Sequence, residues 1–203
     1  MKTMPGAALL CVLLVACSGL TSKIQPDQTY LLRAAPGAGA PAVSGVLAVL
    51  RPAVQPGLDT DRIMLTRPGQ QLDQFAASRW GEPLPRVISA LAVESLAGGG
   101  GFATVVDSSR TAVAANYELL LTVRHFEAAF DSDNAAPVIH VAFECVLAAG
   151  TPRKVIGRCD GAADEPAAEN RMSAIVAAME HAAQRALAGV RAAAVAAASS
   201  SGN

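Results

Sequence analysis

One stretch of the sequence reads Val138-Ile139-His140-Val141-Ala142-Phe143-Glu144-Cys145-Val146-Leu147. Its side chains fall into two alternating sets, one beginning with Val138 and the other with Ile139. Such alternation predicts a β-strand, because successive side chains of a strand point to opposite faces of the sheet. The turn signal Gly150-Thr151-Pro152 follows and residues 154–161 return, so we predict an antiparallel hairpin.

The segment before this hairpin predicts a neighbouring strand, residues 117–126, with one buried face. That face carries Tyr117, Leu119, Leu121 and Val123, which alternate with Glu118, Leu120, Thr122 and Arg124. Further short segments predict strands elsewhere in the chain. They lie at residues 29–33, 46–50, 62–66, 73–77 (an edge strand) and 102–106.

Two helices complete the pattern. The first follows Pro83 and Pro85, because proline is tolerated in the first turn of a helix, and it ends at the glycine run 98–101. We predict that the second opens at Glu165-Pro166 and carries the clearest apolar helical stripe in the chain. The stripe comprises Met172, Ile175, Val176, Met179, Ala183, Ala186, Leu187 and Val190.

The order of these elements predicts an α+β fold. We expect a single domain over residues 46–198, with a mostly antiparallel or mixed sheet and two helices packed on one face. A signal peptide at residues 1–16 and a lipidated tether and linker at residues 17–45 precede it, and a disordered tail at residues 199–203 follows. Division into two domains is the weaker alternative, because neither half has enough apolar residues for its own core.

The first residues carry an export signal. Lys2 and an apolar run over residues 7–16 precede Leu14-Val15-Ala16-Cys17-Ser18, which resembles the bacterial lipobox. Acylation of Cys17 on its thiol and its new amino group would supply the two lipid signals that stable anchoring needs. The alternatives are an ordinary secretory signal or an uncleaved anchor, but the run is shorter than the roughly 18 residues of a spanning helix. Ser18 in place of Asp indicates the outer membrane.

Composition and motifs argue against an enzyme or a nucleic-acid-binding protein. The formal charge is −1, whereas a nucleic-acid-binding domain usually has a strongly basic face. The histidines His125, His140 and His181 lack the close spacing of a metal site, and no glycine-flanked serine elbow is present. The acidic cluster of Glu127, Asp131 and Asp133 is expected in a solvated loop. We therefore predict no catalytic residue, no metal ligand and no cofactor.

Two cysteines remain for a disulfide once Cys11 is removed with the signal peptide and Cys17 is acylated. Cys145 and Cys159 lie seven residues before and after Pro152, so a hairpin centred there would place them opposite each other. An exported protein meets an oxidising compartment, where disulfides persist. The alternative is two buried free thiols, because a slip of one residue would put the sulfurs on opposite faces.

Several short segments together resemble the ABC-type transport auxiliary lipoprotein family, which includes the lipoprotein of the paraquat-inducible transport system. After the lipobox they are Tyr30-Leu31-Leu32, Leu47-Ala48-Val49, Asp61-Arg62-Ile63, Trp80-Gly81-Glu82-Pro83-Leu84-Pro85, Tyr117-Glu118-Leu119, Arg124-His125-Phe126-Glu127, the 143–157 hairpin and the alanine-rich last helix. The linker at residues 34–44 is longer and richer in alanine and glycine than the resemblance implies.

This resemblance implies an accessory role in transport. Family members accompany a permease, an ATPase and a mammalian-cell-entry substrate-binding protein, in systems that move lipids or other apolar molecules between membranes. We therefore expect a lipoprotein that is anchored in the outer membrane and faces the periplasm. It is expected to dock on the mammalian-cell-entry protein, and assembly into a homo-oligomer is compatible with this role. An exposed apolar patch or sheet edge away from the helices is the expected contact. A free-standing, lipid-tethered periplasmic hydrolase is the alternative, and neighbouring genes would distinguish the two.

Overall fold

The structure is a computed structural model that describes residues 26–35, 40–97, 100–132 and 134–201. Within these residues the chain forms nine strands and two helices. They are β1 (Gln28–Tyr30), β2 (Val43–Val49), β3 (Ala53–Val54), β4 (Arg62–Arg67), β5 (Gln71–Trp80), α1 (Leu84–Leu96), β6 (Phe102–Asp107), β7 (Tyr117–Ala129), β8 (Val138–Ala149), β9 (Lys154–Pro166) and α2 (Met172–Ser201). The expected signal peptide, Cys17 and residue Asp133 lie outside the described residues.

Strand β7 is the centre of one mixed sheet that does not close. β8 pairs antiparallel with it along its whole length, and β9 pairs antiparallel with β8. On its other side β2, β3 and β4 pair parallel with successive parts of β7. β6 continues the sheet from β2, whereas β5 and then β1 continue it from β4. The predicted α+β fold is confirmed, and its two longest ladders are antiparallel.

Both helices cover one face of this sheet. α1 and α2 contact each other, and both contact β2. A hydrogen bond from Nη1 of Arg191 to the carbonyl oxygen of Ser95 also joins them, at 3.1 Å. The alternating apolar side chains of β7 and β8, such as Leu119, Leu121 and Phe143, are buried beneath this layer. Removal of these side chains from water is the main stabilising term of the core.

Glycine and alanine allow α2 to lie very close to β9. A Cβ atom added at Gly161 would overlap the carbonyl oxygen of Ala186, and one added at Gly157 would lie 2.6 Å from the Cβ of Ala197. The alanine-rich composition of α2 is therefore a packing requirement, because larger side chains would lift the helix off the strand.

The last helix begins later than predicted and extends beyond residue 198. Glu165 and Pro166 belong to β9, where Pro166 pairs with Val138, so the helix begins only at Met172. The amide of Ala167 then donates to the carbonyl oxygen of Pro137, which holds the chain beside the sheet. At the other end the helix continues through residues 199–201, which we expected in the disordered tail, and the Ser200 hydroxyl donates to the carbonyl oxygen of Ala196.

Strand boundaries also differ from the predictions. β5 has ten residues, Gln71–Trp80, in place of the predicted five, and β2 begins at Val43, inside the segment expected as linker. The short strand β3 was not predicted. An extra residue, Arg124, interrupts the alternation of β7, since Val123 pairs with Phe143 and His125 with Ala142.

Candidate functional site

Among the described residues, none outside the sheet covers the side of β7, β8 and β9 that faces away from the helices. We call this surface the open face. It carries Leu120, Thr122, Arg124, Glu144, Val146, Arg158 and Asp160, most of which surround a shallow depression of about 410 Å³. Leu120 is 39% exposed, and the half-buried Val146 is its cross-strand partner. The open face thus combines a small apolar centre with charged surroundings, which is the composition of a protein-binding surface.

An ion pair across two strands fixes part of the charge on the open face. Nη2 of Arg124 donates to Oε2 of Glu144 at 2.6 Å. This charge-assisted hydrogen bond lowers the pKa of Glu144 and raises that of Arg124, so both groups are charged at neutral pH. Both side chains are largely exposed, so the pair contributes little to folding and mainly orients the two charges.

Two histidine–carboxylate pairs continue the open face toward the end of β7. Nδ1 of His125 is 2.7 Å from Oε1 of Glu127, and Nδ1 of His140 is 2.7 Å from Oδ1 of Asp164. Glu127 and His140 are register partners, so the two pairs adjoin. The placement of Glu127 in a solvated loop was wrong: it lies in β7, is 8% exposed, and its Oε2 accepts the amide of Phe126 at 2.6 Å.

Within the described residues no group of three or more His, Cys, Asp or Glu side chains could hold a metal ion. In the same part of the chain no helix is long and apolar enough to cross a membrane. In each of the two histidine–carboxylate pairs, a hydrogen bond to the carboxylate holds the imidazole ring in one orientation.

A second surface lies where the described chain begins. Tyr30, Leu31 and Leu32 form a groove of about 240 Å³ with Val87 and Ala90 of α1. Leu31 is 69% exposed. We predicted only a short strand at residues 29–33, although an apolar triplet directly after a polar tether was the available signal for a groove.

The segment after β1 is fastened to α2. The amide of Arg33 donates to Oε2 of Glu180, and Nε2 of Gln184 donates to the carbonyl oxygen of Arg33, each at 2.8 Å. This part of the expected tether and linker is therefore ordered against the domain. The polypeptide chain enters the folded domain at β1, beside the groove.

The two cysteines proposed to pair lie opposite each other in the β8–β9 ladder. Cys145 and Cys159 are register partners, their Cα atoms are 4.9 Å apart and their Sγ atoms are in bonding contact. This separation lies within the range that disulfides require. Both side chains are buried on the side of the sheet that α2 covers.

Solved structures share this fold. The protein XCC0632 from Xanthomonas campestris, a DUF330 protein, superposes with a TM-score of 0.75 at 18% identity, over 88% of this chain and 99% of its own. The hypothetical protein CT253 from Chlamydia trachomatis gives a TM-score of 0.53 at 10% identity, over 78% of this chain and 99% of its own. At these identities the likeness concerns the fold alone.

Sequence comparison identifies the family. No curated protein matches the chain in sequence. The family model for the ABC-type transport auxiliary lipoprotein component, however, matches residues 30–190, which include every element from β2 to β9 and most of α2. The chain therefore belongs to the ABC-type transport auxiliary lipoprotein family.

Proposed function

We propose that this protein is a non-catalytic accessory lipoprotein of an ABC transport system, anchored in the outer membrane and facing the periplasm. In this proposal it docks on the mammalian-cell-entry protein that spans the periplasm, and the system moves lipids or other apolar molecules between membranes. The family match over residues 30–190 carries the proposal. The lipobox at Cys17 supports the anchor, and Ser18 after it supports the outer membrane.

The length of the tether supports a position close to the membrane. Ten residues, 18–27, lie between Cys17 and the start of β1 at Gln28. A chain of this length spans at most about 36 Å when fully extended. The domain would therefore stay within reach of the inner leaflet of the outer membrane, with the groove beside β1 as its membrane-proximal part.

The open face supports the docking step. It is the uncovered side of the central strands, and its apolar centre at Leu120 lies between charged side chains. A large periplasmic partner could cover this surface without displacing either helix.

The experiment is a purification of the tagged full-length chain from envelopes in which the transporter is expressed. We expect the mammalian-cell-entry protein in the eluate and the ATPase absent from it. Recovery of the chain without that protein, under these conditions, would contradict the docking proposal.

Cys17→Ala is the control for the anchor in the same cells. The wild-type chain should incorporate radioactive palmitate and fractionate with outer membranes, whereas the variant should remain an unlabelled precursor. Labelling of the variant would place the acyl chain elsewhere and refute the assignment of Cys17.

A further inference from the structure

An apolar groove and a polar depression adjoin beside β1. The groove, formed by residues 30–32 and α1, has a volume of about 240 Å³. The depression has a volume of about 100 Å³ and is lined by Arg51, Pro85, Arg86, Ser89, Asp107, Ser109 and Arg110. Arg86 and Arg110 line both spaces. A molecule with an apolar part and a polar part could therefore occupy the two together.

The groove presents apolar surface to solvent. Leu31 is 69% exposed, more than any other large apolar side chain in the described part of the chain. It lies against Gly81, since a Cβ atom added there would be 3.1 Å from Cδ2 of Leu31. Val87 and the exposed Ala90 also line the groove. Its volume is below the roughly 300–1,000 Å³ of most ligand pockets, so it suits part of one acyl chain.

The depression is positively charged, because three arginines and one aspartate line it. Each guanidinium has a carboxylate nearby, but at a separation longer than that of an ordinary hydrogen bond. The separations are 3.8 Å for Arg51 and Asp59, 3.5 Å for Arg86 and Glu82, and 3.8 Å for Arg110 and Asp107. All three arginine side chains are more than half exposed. Their N–H groups can therefore donate to a further anion.

Asp107 has its own hydrogen-bond donors. The hydroxyl of Ser89 donates to Oδ2, and both the hydroxyl and the amide of Ser109 donate to Oδ1. Burial raises the pKa of Asp107, but these hydrogen bonds outweigh burial and lower the pKa, so the carboxylate is charged at neutral pH. Pro85, in the first turn of α1, also lines the depression, and this turn carries no acidic residue. The positive end of the helix therefore adds to the attraction for an anion.

We propose that this combined site binds a phospholipid of the membrane that anchors the chain. The phosphate lies among Arg51, Arg86 and Arg110, because guanidinium groups donate paired hydrogen bonds to phosphate oxygens. Part of one acyl chain lies in the groove, where its methylenes leave water. The choice of a membrane phospholipid over a soluble phosphate ester rests on the proposed anchor at Cys17, since a tether of ten residues keeps the groove close to the bilayer.

Photolabelling tests the groove. The full-length chain is purified in mild detergent and mixed with micelles of phosphatidylglycerol that carries a diazirine on one acyl chain, and peptide mass spectrometry locates the adducts. We expect adducts within residues 30–32 and 87–90. Ala90→Trp fills the groove and should lower this labelling by about tenfold or more. Ala196→Trp, at an exposed alanine near the end of α2, is the matched control and should not.

A second probe tests the phosphate. Diacylglycerol with the same diazirine chain should label the wild-type groove about tenfold less than the phospholipid does. Arg110→Glu should lower labelling by the phospholipid to the level of diacylglycerol and leave labelling by diacylglycerol unchanged. Arg158→Glu, which reverses an exposed charge on β9, should change neither. Unlabelled phosphatidylglycerol should compete with the probe, and glycerol phosphate at the same concentration should not.

Five outcomes would overturn the proposal. They are no adduct within residues 30–32 and 87–90, labelling that A90W leaves unchanged, equal labelling by the two probes, an effect of R158E as large as that of R110E, and equal competition by glycerol phosphate. The micelles present the probe whether or not Cys17 is acylated. Failure of the site is therefore distinct from failure of the anchor, which palmitate labelling detects.

Discussion

At the scale of single residues, Gly161 sets the distance between α2 and β9. Its Cα lies so close to the helix that an added methyl group would overlap the main-chain oxygen of Ala186. Main chain inside a helix cannot rotate away as a side chain can. The restriction at this position is therefore one of space, and it does not depend on an unusual backbone angle.

Gly161→Ala should destabilise the fold by about 1–3 kcal/mol or more, because the helix must move to admit one methyl group. Urea unfolding of the full-length chain measures the change as a lower midpoint. Ala162→Ser, at the exposed neighbouring position, is the control and should change the midpoint little. Equal midpoints for wild type and G161A would show that α2 does not lie as close to β9 as described.

At the scale of elements, the β8–β9 hairpin could be read from the sequence because its signals are local. Alternation over residues 138–147 and a turn at Gly150 fix both strands and their register, and that register places Cys145 opposite Cys159. The start of α2 could not be read, because Pro166 resembles a first-turn helix proline until its pairing with Val138 is known.

The parallel pairing of strands with β7 could not be predicted from the sequence either. β2, β3 and β4 join β7 through contacts between segments that are distant in the chain, and no local pattern encodes such partners. The burial of Glu127 likewise depends on the bulge at Arg124, which changes the residues that share a face. The strands that form the open face could therefore be predicted from the sequence, whereas its histidine–carboxylate pairs could not.

The hairpin carries a prediction about its cysteines. We expect a Cys145–Cys159 disulfide in the exported protein, which closes a loop with a sequence separation of 14 residues. In the chain-entropy model a loop of this size contributes about 3 kcal/mol. Unreduced, denatured protein should therefore react with no maleimide, and two thiols per chain should react after reduction.

Variants separate a disulfide from two packed thiols. Cys145→Ser and the double variant C145S/C159S should lower the urea midpoint by similar amounts, because either change removes the same bond. Reaction of two thiols per chain before reduction would contradict the disulfide.

At the scale of the whole molecule, the fold leaves different surfaces for different contacts. The helices cover one side of the sheet, the chain enters at β1 beside an apolar groove, and the opposite side of the sheet is open. In our proposal the β1 end lies near the membrane and the open face meets the transport partner.

The most direct measurement is photo-crosslinking in cells that express the transporter, with p-benzoylphenylalanine in place of Leu120 at the apolar centre of the open face. The account predicts an adduct with the mammalian-cell-entry protein. The same probe at Leu72, which is 43% exposed on β5, should give no such adduct. An adduct of equal yield from Leu72, or no adduct with that protein from Leu120, would contradict the account.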